Sequence, residues 1–415
     1  MAGLLASLYG EELRGFLRER LGCGPLMAEP ERSLLVAVPP RGFWLPRGTI
    51  AGSDGRARLG FALFLTEDWW QEADGGLLEV YAADAAKPDS MVVPRFNSLL
   101  VYAASANIAA TRVLTDRAPQ LAIHGIFQEE AVPAAPPGAE ATGAGGCTEK
   151  DLGHAFDKAD REKLQPWVAA AHLAARRIRT TQKRFARTSR ARLRGFLRPE
   201  AAAELIEFLQ RRDRADGLPR DGEAAATWQD HDLGCGTGWD LVGPAHSRRY
   251  LRAVRATAPD ACPASAALHE VAARMESPAF LRYLEALTGV QRAMAPVSAE
   301  ARRFRPGLDY VRRECASAPR LDAVLCLSGG KGWRQRGSAD AYAEAPADSD
   351  TSIMAGNRLP PPLLRLRPAR NVLRLVLRDT RTAHCVEPLA QGSPGSRWDV
   401  ALSLELEALS EEEEE

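Results

Sequence analysis

Cysteine is sparse here and never paired along the chain. The seven cysteines (23, 147, 235, 262, 315, 326 and 385) form no C-x-x-C pair. That argues against a zinc ribbon and against the disulfide framework of a small secreted domain. Net charge is absent as well: 54 basic residues balance 54 acidic ones, so bulk electrostatics favours neither nucleic acid nor membrane. No apolar run reaches the roughly 18 residues of a membrane span. The opening "MAGLLASLYGEELRGFLRERLG" meets Glu11 and Glu12 at once, so it reads as a short amphipathic helix and not as a signal peptide. No membrane is expected among the partners, and cytoplasm or nucleus is the default location. Histidine is missing from the whole N-terminal stretch before His124.

What the chain does contain is the composition of a globular protein. Its 415 residues are 45% apolar and 26% charged, enough for two or three domains at roughly 150 residues each. Residues 1–129 are rich in short apolar or alternating runs, "SLLVAV", "LGFALFL", "GLLEVYAA", "SMVV", "SLLVYAA" and "QLAIHGIF", separated by Gly, Pro, Asp and Asn. Such runs predict an antiparallel sandwich or a distorted barrel. Residues 130–151 are Pro, Ala and Gly without periodicity, a linker. Residues 152–300 have mostly helical spacing, and 301–409 return to strands in "LDAVLCL", "NVLRLVLRD" and "WDVALSLELE". Residues 410–415 form an acidic tail, expected to stay solvated. The simplest reading is mainly β with helices: two β domains joined by a helical segment.

Several of these stretches resemble one family. "RARLGFALFLTEDWWQEADGGLLEVYAAD", "VVPRFNSLLVYAAS" and "QLAIHGIF" look like the double-stranded β-helix (jelly roll) of 2-oxoglutarate and iron-dependent oxygenases. The closest branch is the one containing prolyl 3-hydroxylases of a small-subunit ribosomal protein. Trp69 or Trp70, Gly75, Gly76, Leu78, Tyr81, Pro94, Asn97, Leu99 and Leu100 occupy the places of the family's W…GG-x-L-x-L-Y and P-x-x-N-x-L-V elements. "LRGFLRPEAAAELIEFL", "GPAHSRRYLRA", "RFRPGLDYVRR" and "PGSRWDV" resemble its later segments, the last ones from a second, non-catalytic barrel. The resemblance covers nearly the whole chain, with a shorter N-terminus than the family implies. It implies Fe(II), 2-oxoglutarate and ascorbate as cofactors, prolyl hydroxylation as the activity, translation as the setting, and a ribosomal protein or regulatory client as partner.

The family holds Fe(II) with two histidines and one carboxylate, leaving positions for 2-oxoglutarate and O₂. Carried across by motif, its His-x-Asp positions fall on Ile50 and Gly52, and its second histidine on Ile108. The arginine that pairs with the far carboxylate of 2-oxoglutarate falls on Gln120, and the tyrosine that helps it falls on Phe64. Isoleucine and phenylalanine have no lone pair for iron, and a neutral amide is a poor match for a dianion. Asp54 and Asp116 are the nearby carboxylates that a surviving site would have to recruit. Period-2 alternation places Gln120, Ala122 and His124 on one face, the face that points into the barrel in this family. His124 is therefore either a substitute contact for an acidic ligand or a core histidine bonded to a backbone carbonyl. The expectation is a catalytically impaired relative, with a non-catalytic binding scaffold as the alternative.

Three further features invite other readings. "DLGCGTGWD", Asp232–Asp240, looks like the glycine-rich loop of S-adenosylmethionine-dependent methyltransferases. The preceding "AAATWQDH" is no buried strand, and "SRRYLRAVRATAPD" after it looks helical, so the loop reads as an insertion between Trp228 and Gly243–Pro244. From Arg176 to Arg198 there are ten Lys or Arg and no acidic residue. On a helix this is a cationic ridge for RNA, for an acidic partner or for nuclear import, or else a solvated face. His384 and Cys385 are adjacent, so on a strand they point to opposite faces and do not share a metal.

Overall fold

Period-2 alternation in the first block builds two antiparallel sheets. The computed structural model describes residues 2–28, 30–47, 57–129, 155–218, 230–236, 238–254, 262–291, 293, 297–333, 337–345 and 361–406. The chain divides into two compact units, Met1–Ala141 with Gly243–Ser247, and Thr142–Val242 with Arg248–Glu415. Among the described residues no helix is long and apolar enough to cross a membrane.

The first unit starts with α1 (Ala2–Leu8) and α2 (Glu11–Leu21). Its strands are β1 (Leu26–Ala28), β2 (Leu34–Val38), β3 (Trp44–Arg47), β4 (Ala57–Phe64), β5 (Leu78–Tyr81), β6 (Ser90–Val92), β7 (Ser98–Ala103), β8 (Asn107–Ala110) and β9 (Gln120–Glu129). The long β9 is the spine of one sheet: it pairs with β1, β2 and β4, and β4 pairs in turn with β7. The second sheet runs β3-β8-β5-β6. Side-chain alternation then sorts the residues by face. Leu59, Phe61 and Leu63 of β4 and Ile123 and Phe127 of β9 pack beneath Leu8, Tyr9 and Leu17 of the helical segment. Ala62, Phe64 and Ala122 turn the other way, against Leu78 and Trp44 of the second sheet. Each buried phenylalanine contributes roughly 1.5–3 kcal/mol. Glu11 and Glu12 at the start of α2 and Arg18 and Arg20 at its end complement the helix dipole. Gly22, at φ 61°, closes it by donating its N–H to the Arg18 carbonyl.

The second unit contains α3 (Lys158–Leu164), α4 (Ala170–Leu173), α5 (Ala175–Thr188), β10 (Arg190–Arg194), α6 (Pro199–Ala215), β11 (Trp239–Val242), β12 (Arg248–Ala253), α7 (Pro263–Glu276) and α8 (Pro278–Thr288). There follow β13 (Ala299–Phe304), β14 (Tyr310–Glu314), β15 (Arg320–Cys326), β16 (Asp340–Glu344), β17 (Leu364–Leu366), β18 (Val372–Arg378), β19 (Thr382–Val386) and β20 (Arg397–Glu405). They form one curled antiparallel sheet in the order β10-β18-β15-β20-β13-β12-β14-β19-β16-β17, with β11 on β12. The curl passes through β12, whose Arg248 and Arg249 pair with β14 while Leu251 and Arg252 pair with β13. Leu321, Leu325, Leu373, Leu375, Val400 and Leu402 on one face share a core with helical residues such as Ile178, Phe185, Leu205, Leu268 and Leu284. The architecture is mainly β with helices, built of curled antiparallel sheets of the jelly-roll kind.

Two local expectations change. Helical spacing predicts a helix across 176–198, but α5 ends at Thr188, where Ser189 turns left-handed at φ 51°. Arg190–Arg194 is instead a strand in register with β18. Its Arg-Ala-Arg-Leu-Arg pattern has period 2, with Ala191 and Leu193 buried on one face. Likewise Arg248–Ala253, expected as helical, is a strand.

Close backbone approach makes one glycine essential to the first unit. A Cβ on Gly125 would lie 2.5 Å from both Phe61 Cζ and Tyr9 Oη. Gly125→Ala is expected to destabilise this unit by about 1–3 kcal/mol, the usual cost of overpacking. Urea denaturation of the full chain checks it; unchanged stability would contradict the packing described.

Candidate functional site

The interior between the two sheets of the first unit is where the sequence resemblance puts its chemistry. Ile50, Gly52 and Asp54 lie outside the described residues. Phe64 is fully buried on β4 and packs with Ala62, Leu78 and Ala122. Ile108 is buried on β8; its neighbour Ala109 packs outward with Tyr81 and Ala245, so Ile108 turns inward. Gln120 and His124 are both buried on β9, on the face they share with Ala122. The His124 ring meets the edge of Trp44, from the opposite sheet, at a centroid distance of 5.0 Å and 73°. His124 is thus held between the sheets. Asp116 is not part of this interior: it pairs with Arg41 at 3.2 Å, both largely exposed.

These side chains do not fit iron or 2-oxoglutarate. The site would need two imidazoles and a carboxylate turned to one point. His246, the other described histidine of this unit, lies by Ala83 and Asn107, on the outward side of β8 opposite Ile108. Among the described residues no three His, Cys, Asp or Glu side chains are placed to share a metal ion. Two polar groups of the interior, Gln120 and Tyr102, are neutral. Gln120 Oε1 and the Tyr102 hydroxyl are buried without hydrogen-bond partners among the described residues. Burial pushes the Tyr102 phenol up, so it stays protonated. A carbonyl oxygen and a neutral phenol supply no positive charge to a dicarboxylate.

The curled sheet of the second unit encloses ionised groups instead. Arg397 donates to Asp340 and to Asp399, each at 2.9 Å. Arg374 donates to Asp340 at 2.7 Å and Arg302 to Asp399 at 2.8 Å. His384 lies 3.3 Å from the same Asp340 and stacks near Tyr342. Burial alone would raise the Asp340 carboxyl, but Arg397, His384 and Arg374 outweigh it and hold it well below the usual carboxylate range. Cys385, next to His384, is a partly buried thiol raised mainly by desolvation.

The glycine loop belongs to a neighbouring set of buried ions. Arg305 holds Asp309 through two hydrogen bonds of 2.8 and 3.0 Å, and its Nη1 donates to the His231 and Leu233 carbonyls at 2.6 and 2.9 Å. Arg303 binds Asp213 and Asp216 at 3.0 and 2.6 Å. Gly234, at φ 75°, lies where a Cβ would collide with the Arg303 guanidinium. The loop therefore wraps two guanidinium groups and leads into the β11–β12 hairpin, not into a helix that would face a nucleotide. Sequence reasoning missed this role; the signal available was the set of four arginines around Asp309 in "RFRPGLDYVRR".

The family model described as "Oxoglutarate and iron-dependent oxygenase degradation C-term" matches residues 159–414. The chain belongs to this family. A prolyl 3,4-dihydroxylase OGFOD1 of Ostreococcus tauri is 24% identical over 433 residues, covering 95% of this chain and 81% of that protein. A Pseudomonas putida prolyl-4-hydroxylase structure aligns at TM-score 0.31 and 14% identity, covering 55% of this chain and 99% of that one. A Trichoplax adhaerens prolyl hydroxylase, solved with a hypoxia inducible factor peptide, aligns at 0.30 and 11% identity, covering 56% and 90%. The oxygenase family model thus covers most of the second unit, where the buried arginines lie, and the relative's likeness extends through the first.

Asp340 gives this family domain a measurable signature. Asp340→Asn leaves Arg397 and Arg374 short of charge and is expected to cost about 3–5 kcal/mol at pH 7. Because the folded pKa lies below the unfolded one, this contribution is complete above about pH 4 and lost as pH falls through the folded pKa. Denaturation at a series of pH values should show the full deficit at pH 7 and a gap that closes only well below pH 4. Equal stability at pH 7 would contradict the network.

Proposed function

We propose that this chain is a non-catalytic member of the oxygenase family, a hydroxylase body that serves as a binding scaffold. One observation carries the reading: the inward positions Phe64, Ile108 and Gln120, where the family's anchors fall, are buried and hold two hydrocarbon side chains and a neutral amide. The likeness to a prolyl 3,4-dihydroxylase across 95% of the chain supports the competing reading, a working prolyl hydroxylase. Side-chain chemistry opposes it, since among the described residues of the first unit His124 is the one histidine turned to the interior. On the scaffold reading Fe(II) and ascorbate are not needed and 2-oxoglutarate is not consumed, and the client is a proline-bearing segment of a ribosomal or regulatory protein. A cleft of about 430 Å³ lined by Asp68, Trp70, Glu72, Val93, Arg95 and Phe96 is an open surface of this unit that suits such a peptide. Phe96 is 57% exposed there, an apolar group without cover. Proline-rich segments dock on aromatic-lined grooves of this type.

The test combines turnover with binding. The purified chain, supplied with Fe(II), 2-oxoglutarate, ascorbate and a proline-bearing ribosomal peptide, should form no succinate above a protein-free control. The peptide should still bind by fluorescence anisotropy, and Phe96→Ala should weaken that binding about tenfold. Succinate formed in excess over protein would overturn the proposal.

A further inference from the structure

The ten cations between Arg176 and Arg198 are all exposed. Among the described residues Arg198 alone of the ten forms an ion pair, with Glu200 at 3.7 Å. In a chain of zero net charge this is a marked local excess. The structure sorts the run into two faces. Arg190, Arg192 and Arg194 lie on β10 on the side opposite Ala191 and Leu193. Arg176, Arg177, Arg179, Lys183, Arg184 and Arg187 lie on α5, opposite the buried Ile178, Thr181 and Phe185. At about 100° per residue these six fall within roughly 160° of the helix circumference. They run along a helix of 14 residues, about 21 Å at 1.5 Å per residue.

We infer that the outer face of α5 is a binding surface for the phosphate backbone of double-stranded RNA. Five of the six cations are arginines, whose planar fork binds phosphate in bidentate fashion. No large exposed apolar side chain occurs between residues 155 and 218, so the face has no anchor of the sort that concentrates affinity in protein–protein interfaces. It has no exposed aromatic either, which disfavours single strands held by base stacking. The helix is half sunk in its own core, so it does not enter a groove the way a recognition helix does. It touches phosphates from outside. A narrow, deep groove brings two phosphate rows within reach of one wide cationic face. That geometry is A-form RNA, whereas the B-DNA major groove is about 12 Å wide.

The experiment uses the full chain and a fluorescently labelled duplex RNA of about 20 base pairs, with anisotropy measured over a range of salt. Binding in the micromolar range at physiological salt is expected, weakening steeply as salt rises. Replacing Arg176, Arg179, Lys183 and Arg187 together by Gln should weaken binding at least tenfold and reduce the salt slope by about 3. Circular dichroism and thermal unfolding should be unchanged, as these side chains make no tertiary ion pairs. Arg190→Gln with Arg194→Gln, which removes charge from β10, should change affinity less than threefold. Equal affinity for duplex DNA or for polyglutamate would overturn the assignment to RNA. Absence of binding, or an undiminished affinity in the folded four-site variant, would overturn the surface itself.

Discussion

Among the described residues of the second unit seven arginines, Arg249, Arg282, Arg302, Arg303, Arg305, Arg374 and Arg397, are buried, and the surrounding structure meets them mainly with aspartates. An isolated buried cation costs several kcal/mol or more, so each must find a carboxylate or several carbonyls in place. Asp340 and Asp399 bind strands β13, β16, β18 and β20 through shared guanidinium groups. Asp213 and Asp216 draw α6 onto Arg303, and Asp160 draws α3 onto Arg282 at 2.8 Å. Pairs of this kind add little net stability compared with a hydrocarbon core, but removing one partner is costly. Their effect is to fix which helix and which strand meet, and to commit the loop at 230–236 to wrapping arginine.

The two sheet interiors differ in chemistry. The second is ionised, and its buried arginines and aspartates are engaged mainly with one another. The first buries Ile108, Phe64 and Gln120, at positions where the sequence resemblance implies an imidazole, a tyrosine and a guanidinium. Its packing is what a hydrophobic core requires, with Trp44 and His124 meeting across the sheets. Family membership and the proposed absence of catalysis are compatible, because the fold depends on alternation and packing while the reaction depends on a few polar side chains.

Much of this was legible in the sequence, and the misses have physical causes. Strands β4, β7 and β9 follow from short apolar or alternating runs bounded by turn residues, and the inward direction of Gln120 and His124 follows from the period of 2 along β9. The resemblance of "RFRPGLDYVRR" and "PGSRWDV" pointed to the right family without revealing that their arginines are buried. Nothing local distinguishes Arg303 from a surface arginine; its burial depends on Asp213 and Asp216, about 90 residues away in the chain. Strand β10 was read as helix because five residues between two helices give a weak period, and tertiary pairing with β18 decided the outcome. The cationic face of α5 was visible as composition, but only the structure separates its six cations from those of β10.

The most direct test of the central claim is metal binding by the full chain, followed by electron paramagnetic resonance as Mn(II) is titrated in the presence of 2-oxoglutarate. The account predicts the spectrum of free Mn(II) throughout, with no stoichiometric site. One bound Mn(II) per chain, perturbed by 2-oxoglutarate and lost in His124→Ala, would contradict it and place a working centre in the first unit.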